Sequence, residues 1–102
     1  MRDGVTVYLS GPMTGKPDWG RAAFNAAEEK YRRLGYKVLN QAILPTDLRP
    51  EAYIPICLAM LREADMIVML DGWEDSQGAR MEARYAAYLK INSIFDKEVR
   101  GE

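Results

Sequence analysis

Residues Asp65 to Ala86 read DMIVMLDGWEDSQGARMEARYA. The run Asp65 to Leu70 is apolar at both parities, as expected of a central parallel strand covered by helices on both faces. Asp71 to Asp75 is a polar turn carrying Gly72, and Ser76 to Lys90 has the spacing of an amphipathic helix. Such a passage from buried strand to turn to helix is the repeating unit of an open α/β sheet.

The flanking segments repeat the unit. Val5 to Leu9, VTVYL, is β-branched and aromatic and reads as a first strand. It runs into Ser10-Gly-Pro-Met-Thr-Gly15, where glycine and proline stop regular structure. Arg21 to Leu34 is a helix, with Ala22, Ala23, Ala26, Ala27, Tyr31 and Leu34 on the apolar side. Asp18 is a candidate cap, and Gly35 is the residue that ends the helix. Tyr36 to Asn40 is the second strand, and Gln41 to Pro50 is irregular. Glu51 to Ala64 is the second helix. Pro55 is tolerated only near a helix start, so hydrogen bonding is expected to begin near Ala52 or Tyr53. Asn92 to Phe95 is a short last strand, and Asp96 to Glu102 reads as a frayed tail.

The order β-α-β-α-β-α-β predicts a small doubly wound parallel sheet of about four strands, Rossmann- or flavodoxin-like, with helices on both faces. The expected strand order is 2-1-3-4, with right-handed crossovers. Ligands of such sheets bind outside the carboxyl ends of the strands, where the winding direction reverses. Here that point lies between the first and third strands, so the loops at Ser10-Gly11 and Asp71-Gly72 converge on the expected site.

Composition narrows the chemistry. The chain has 102 residues, 48% of them apolar and 28% charged, with a net charge of −1. This suits a single globular domain spanning 1–102 and argues against a nucleic-acid partner, which needs a basic face. There is one cysteine and no histidine. Ser-His and Cys-His catalysis and the usual zinc sites are therefore excluded, and a reducing, cytoplasmic compartment is expected. No apolar run approaches a membrane span and no secretory leader is evident, so no membrane partner is expected. No metal or other cofactor is expected.

The remaining candidates are few. Gly11, Pro12, Met13, Thr14 and Gly15 either form a plain strand-to-helix turn or let the backbone approach a ligand, with Ser10 and Thr14 as donors. Their spacing fits neither the P-loop nor G-x-G-x-x-G. Ser76 either caps the third helix or contributes to an anion site at its start. Gly78 in the first turn hints at close packing or ligand approach. Glu82 shares a helix side with Ala79 and Ala86. A carboxylate among small apolar neighbours is costly unless it has partners or a task, the alternative being a surface pair with Arg80 or Arg84. Tyr8 is either a core tyrosine or the residue that orients Glu82. Trp73 either stacks on a base or closes a loop. Cys57 reads as a packed thiol.

The paired motifs Tyr8-Leu-Ser-Gly-Pro-Met-Thr-Gly15 and Gly78-Ala-Arg-Met-Glu82, the latter following a strand that opens at Asp65, resemble the nucleoside 2-deoxyribosyltransferase superfamily. The match is closest to a short branch from phages and bacteria, related to the 2′-deoxynucleoside 5′-monophosphate N-glycosidases, and runs from about residue 4 to residue 95. The resemblance implies that Glu82 is the nucleophile that attacks the anomeric carbon of a nucleoside or nucleotide, and that Tyr8 positions it. It implies that Ser10 to Gly15, with Ser76 and Gly78, cradle sugar or phosphate; Asp71 and Trp73, on the loop after the third strand, are expected in the same substrate site. Serine at 76 leans toward a phosphorylated substrate. It also implies a homodimer or higher homo-oligomer. Two positions depart from the pattern. Cys57 stands where the family has an aspartate that helps protonate the leaving base, and Thr14 stands where the monophosphate glycosidases have an arginine. A binding module that kept the pocket without turnover is the alternative, and a purely structural or interaction protein is a third.

Overall fold

A computed structural model of the chain describes residues 4–101. Four strands, β1 (Thr6–Ser10), β2 (Lys37–Asn40), β3 (Met66–Met69) and β4 (Asn92–Phe95), alternate with three helices, α1 (Arg21–Arg33), α2 (Pro50–Arg62) and α3 (Gln77–Tyr88). The sheet is wholly parallel, in the order β2-β1-β3-β4. This is the doubly wound α/β architecture and strand order that the alternating pattern predicts. Among the described residues no helix is long and apolar enough to cross a membrane.

Strand parity divides the core into two layers. Val7 and Leu9 of β1, with Val68 and Leu70 of the β3 segment, pack against Phe24, Ala27, Tyr31 and Leu34 of the α1 segment. Tyr8, Ile67 and Met69 face the other way, onto Cys57 and Leu61 of α2 and Ala79 and Ala86 of α3. Burial on both faces explains why these strands are apolar without alternation.

Several local expectations need correction. The anchor of α1 is Phe24, fully buried, whereas Ala22, Ala23 and Ala26 are exposed. A hundred-degree step per residue places Phe24, Ala27, Tyr31 and Leu34 in one stripe, which leaves Ala22 and Ala26 outside it and Ala23 at its rim. Asp18 does not cap α1. The cap position is Gly20, left-handed at φ 73°, and no side chain bonds to it. Helix α2 begins at Pro50, two to three residues earlier than expected. Proline at a first helical position loses no hydrogen bond, and Pro55 is then accommodated inside the helix on an exposed face. Gly35 does end α1, at φ 101°, with its N–H on the carbonyl of Arg32.

The segment after β4 is docked rather than frayed. Asp96 opens a short 3-10 turn, and its Oδ1 accepts from Lys30 Nζ and from Tyr31 Oη, each at 2.8 Å. Val99 packs onto the α1 layer of the core. Glu102 lies outside the described residues. At the opposite edge of the sheet, Asp65 accepts the backbone N–H of Thr6 at 2.8 Å, a structural stitch well away from the strands' carboxyl ends.

Candidate functional site

The site is assembled by strand and helix periodicity. Tyr8 and Ser10 are two apart on β1 and so project to the same sheet face, toward α3. Glu82 is three residues after Ala79 and four before Ala86, and all three are buried, so this side of α3 is turned inward as its small residues suggest. The carboxylate of Glu82 meets both hydroxyls. Tyr8 Oη donates to Oε2 at 2.8 Å and Ser10 Oγ donates to Oε1 at 2.6 Å. Glu82 is 5% exposed, and Tyr8 and Ser10 are wholly buried.

A third donor comes from the loop after β2. Gln41 Nε2 donates to the Leu9 carbonyl at 3.0 Å and to Glu82 Oε1 at 3.3 Å. Its Oε1 accepts the Cys57 thiol at 3.5 Å. Gln41 is turned inward by the short 3-10 turn Gln41–Ile43, which Asn40 caps by accepting from Ala42 N at 2.8 Å. The Asn40 amide in turn donates to Asn25 Oδ1 and Glu28 Oε1 on α1. Gln41 carried no signal in the sequence reading, because it lies in an aperiodic loop. Its place as the first residue beyond β2, on the carboxyl edge beside β1, is the feature that points to it.

Burial sets the electrostatics. It pushes the Glu82 carboxyl above the ordinary glutamate range, although hydrogen bonds from Ser10, Tyr8 and Gln41 pull the other way. Tyr8 is raised well above a free tyrosine by burial and then by the Glu82 charge, so it remains a donor. Burial pushes the Cys57 thiol up to about 11, which keeps it neutral.

Glu82 lies at the wall of a cavity of about 430 Å³ open at the carboxyl edge of the sheet. Of the expected residues, Gly11, Met13, Thr14, Ser76 and Gly78 also line it. Ser10 does not; its hydroxyl is engaged with Glu82. Pro12, Gly15, Asp71 and Trp73 lie outside the lining. Trp73 instead packs against Phe95, ring centres 6.1 Å apart. Ser76 fills its structural role, accepting from Ala79 N at 3.2 Å as the cap of α3. A side chain at Gly78 would meet nothing within 4 Å, so close packing is not what glycine serves there. At Gly11 the reverse holds, since a Cβ would lie 2.8 Å from that of Leu70.

The rest of the wall was not anticipated. Trp19, Arg21, Leu44, Leu48, Tyr53 and Ile54 all contribute to it. Trp19 is 48% exposed and sits with Asp18 in left-handed backbone, at φ 56° and 50°. Tyr53 ties the loop down, accepting from Leu48 N at 3.2 Å and donating to the Pro45 carbonyl. Among the described residues no three metal-ligating side chains come together.

Residues 5–95 match a family described as a domain of unknown function, DUF4406. The chain belongs to the DUF4406 family. Every residue of the Tyr8–Ser10–Gln41–Glu82 network, and the whole cavity wall, falls inside the span that defines DUF4406. No curated protein matches the chain.

Proposed function

We propose that this protein cleaves the N-glycosidic bond of a 2′-deoxynucleoside or its 5′-monophosphate, as an N-glycosidase or deoxyribosyltransferase, with Glu82 as nucleophile. What supports the reading most is the Glu82 carboxylate itself, buried at a cavity wall and gripped on both oxygens by Tyr8 and Ser10. A structural carboxylate is usually paired with a cation or left in water; one held by neutral donors and facing a cavity is arranged for chemistry.

In this reaction a Glu82 oxygen attacks the anomeric carbon. A C–O bond forms while the C–N bond breaks, and the bonding pair leaves with the base, which takes up a proton. Water or a second base then displaces the carboxylate from the glycosyl ester, splitting one difficult substitution into two easier ones. Tyr8, Ser10 and Gln41 fix the carboxylate's orientation and favour its ionised form. Assembly into a homodimer or higher homo-oligomer and a reducing, cytoplasmic location belong to the same reading. Light scattering on the purified chain tests the first.

The test is incubation of wild type and Glu82→Ala with the common deoxynucleosides and their monophosphates. Base release is followed chromatographically, and the intact protein is weighed for a deoxyribosyl adduct. Base release or an adduct confined to the wild type is the expected outcome. Neither product from any substrate sinks the enzyme reading.

A second reading, a nucleotide-binding module without turnover, is favoured by Cys57. A neutral thiol pushed up to about 11 is a poor proton donor for a departing base. Thermal stabilisation by nucleosides or nucleotides in the absence of base release identifies that case.

A further inference from the structure

Arg21 is the one positively charged side chain among the described residues that line the cavity. As the first residue of α1 it stands just past the Pro17–Gly20 turn. A guanidinium has five N–H donors in a fixed fork. The structure engages them poorly. Nη2 reaches the Leu44 carbonyl at 3.4 Å, and Nε lies 3.8 Å from Asp18 Oδ1, too far for a hydrogen bond. The Asp18 side chain is 77% exposed, against 31% for Arg21, so this pair is weak. Arg21 Nε is the buried side-chain polar atom that lacks a hydrogen-bond partner among the described residues. Neighbours on α1 show what engaged arginines look like: Arg32 holds Glu28 at 2.8 Å and Arg33 holds Glu29 at 2.7 Å.

Glu82 is not the acceptor of Arg21: its donors are Tyr8, Ser10 and Gln41. An underused guanidinium on a residue of the cavity wall is best satisfied by an oxyanion brought in by the ligand. We propose that Arg21 is the anion-binding residue of this cavity, and that the site takes a nucleoside 5′-monophosphate in preference to the free nucleoside. The planar fork matches two phosphate oxygens, and the long Nη2 contact to Leu44 is weak enough to be exchanged for one. Thr14 lines the same cavity. The inference rests on the proposed function for its ligand class, and it narrows that class by charge.

The experiment measures binding, so that it reads separately from turnover. Calorimetric titrations use the Glu82→Gln protein, with Arg21 intact, changed to Gln, or changed to Lys, each checked for folding by circular dichroism. The ligands are the four common 2′-deoxynucleosides, their 5′-monophosphates and inorganic phosphate. With Arg21 intact, at least one monophosphate should bind roughly 10- to 100-fold tighter than its nucleoside, the range for a charge-assisted contact. Arg21→Gln should abolish that ratio while leaving nucleoside affinity within about twofold, and Arg21→Lys should restore part of it. A ratio near one with Arg21 intact, or a ratio that survives Arg21→Gln, overturns the proposal. So does inorganic phosphate binding as tightly as the nucleotide, which would mark a site for a free anion. Binding of no nucleoside or nucleotide overturns this proposal and the ligand class together. An Arg21-dependent ratio in a protein that never releases base leaves it standing and removes only the catalytic reading.

Discussion

The Tyr8 hydroxyl donates to Glu82 Oε2 at 2.8 Å, joining residues 74 positions apart through the buried face of the sheet. The contact depends on strand parity, on the inward face of α3 and on the parallel alignment of β1 beside β3. It couples the integrity of the fold to the ionisation of one carboxyl group.

Removing that contact should be read in a pH profile. Tyr8→Phe keeps the ring that fills the core and deletes a hydrogen bond to the charged form of Glu82. Its loss raises the carboxyl further. The acid limb of kcat/KM for base release should therefore move to higher pH. The rate at the plateau should fall roughly 10- to 100-fold, the equivalent of about 1.5–3 kcal/mol for a hydrogen bond to a charged group. Ser10→Ala should act in the same direction. An unshifted limb in both variants would mean that the hydroxyls do not tune Glu82.

Stability should carry the opposite signature. The Glu82 carboxyl is raised in the folded state, so the folded chain binds more protons than the unfolded one between the ordinary glutamate value and the raised value. Stability thus falls as pH climbs through that window and stays lower above it. Glu82→Gln removes the ionisation and should melt higher than wild type near neutral pH, by ~4–8 °C for each kcal/mol recovered. The two proteins should converge as the pH is lowered. Thermal melts from pH 4 to pH 8 check this, and a variant that melts lower throughout contradicts it.

Cys57→Asp tests the leaving-group side. A carboxyl at this buried position, near Glu82, would be raised and protonated by the same burial that raises the thiol, and a protonated carboxyl is a far better general acid. Base release should rise by about tenfold or more, within the range that general acid catalysis contributes. Stability should drop somewhat. No gain from a folded Cys57→Asp protein would show that base protonation does not limit the rate.

Two glycines of the cavity wall should separate packing from access. Gly11→Ala forces a Cβ to 2.8 Å from Leu70 Cβ and should destabilise by about 1–3 kcal/mol. Gly78→Ala meets open space in a helical first turn and should stabilise by up to about 1 kcal/mol. If ligand occupies the space above α3, the same Gly78→Ala change should weaken nucleotide binding. Denaturant melts and titrations read the two effects independently.

The sheet was legible because its strands are short apolar runs bounded by glycine and proline, and because alternation with helices leaves few parallel topologies. Glu82 was legible because Ala79 and Ala86 mark its side of α3 as buried. The contact of Ser10 with Glu82 was hidden by one residue of strand boundary. Ended at Leu9, β1 leaves Ser10 in a loop; extended to Ser10, the two-residue period puts it beside Tyr8. Gln41 and Trp19 were missed because turn residues have no period, and Arg21 because nothing in the pattern of α1 marks its first residue; their placement is decided by local backbone geometry, the Asn40-capped turn and the left-handed turn at Asp18 and Trp19, that side-chain periodicity does not encode.

The three hydrogen bonds to Glu82 all come from uncharged groups, and among the described residues no cation contributes to its ionisation. When ionised, Glu82 has no counter-charge among these partners. Breaking an N-glycosidic bond builds positive charge on the anomeric carbon and the ring oxygen, an oxocarbenium-like state. On the proposed reaction, the missing counter-ion of Glu82 is the transition state itself. The attraction is weak toward a neutral sugar and grows as the bond lengthens, which is the condition under which binding lowers a barrier.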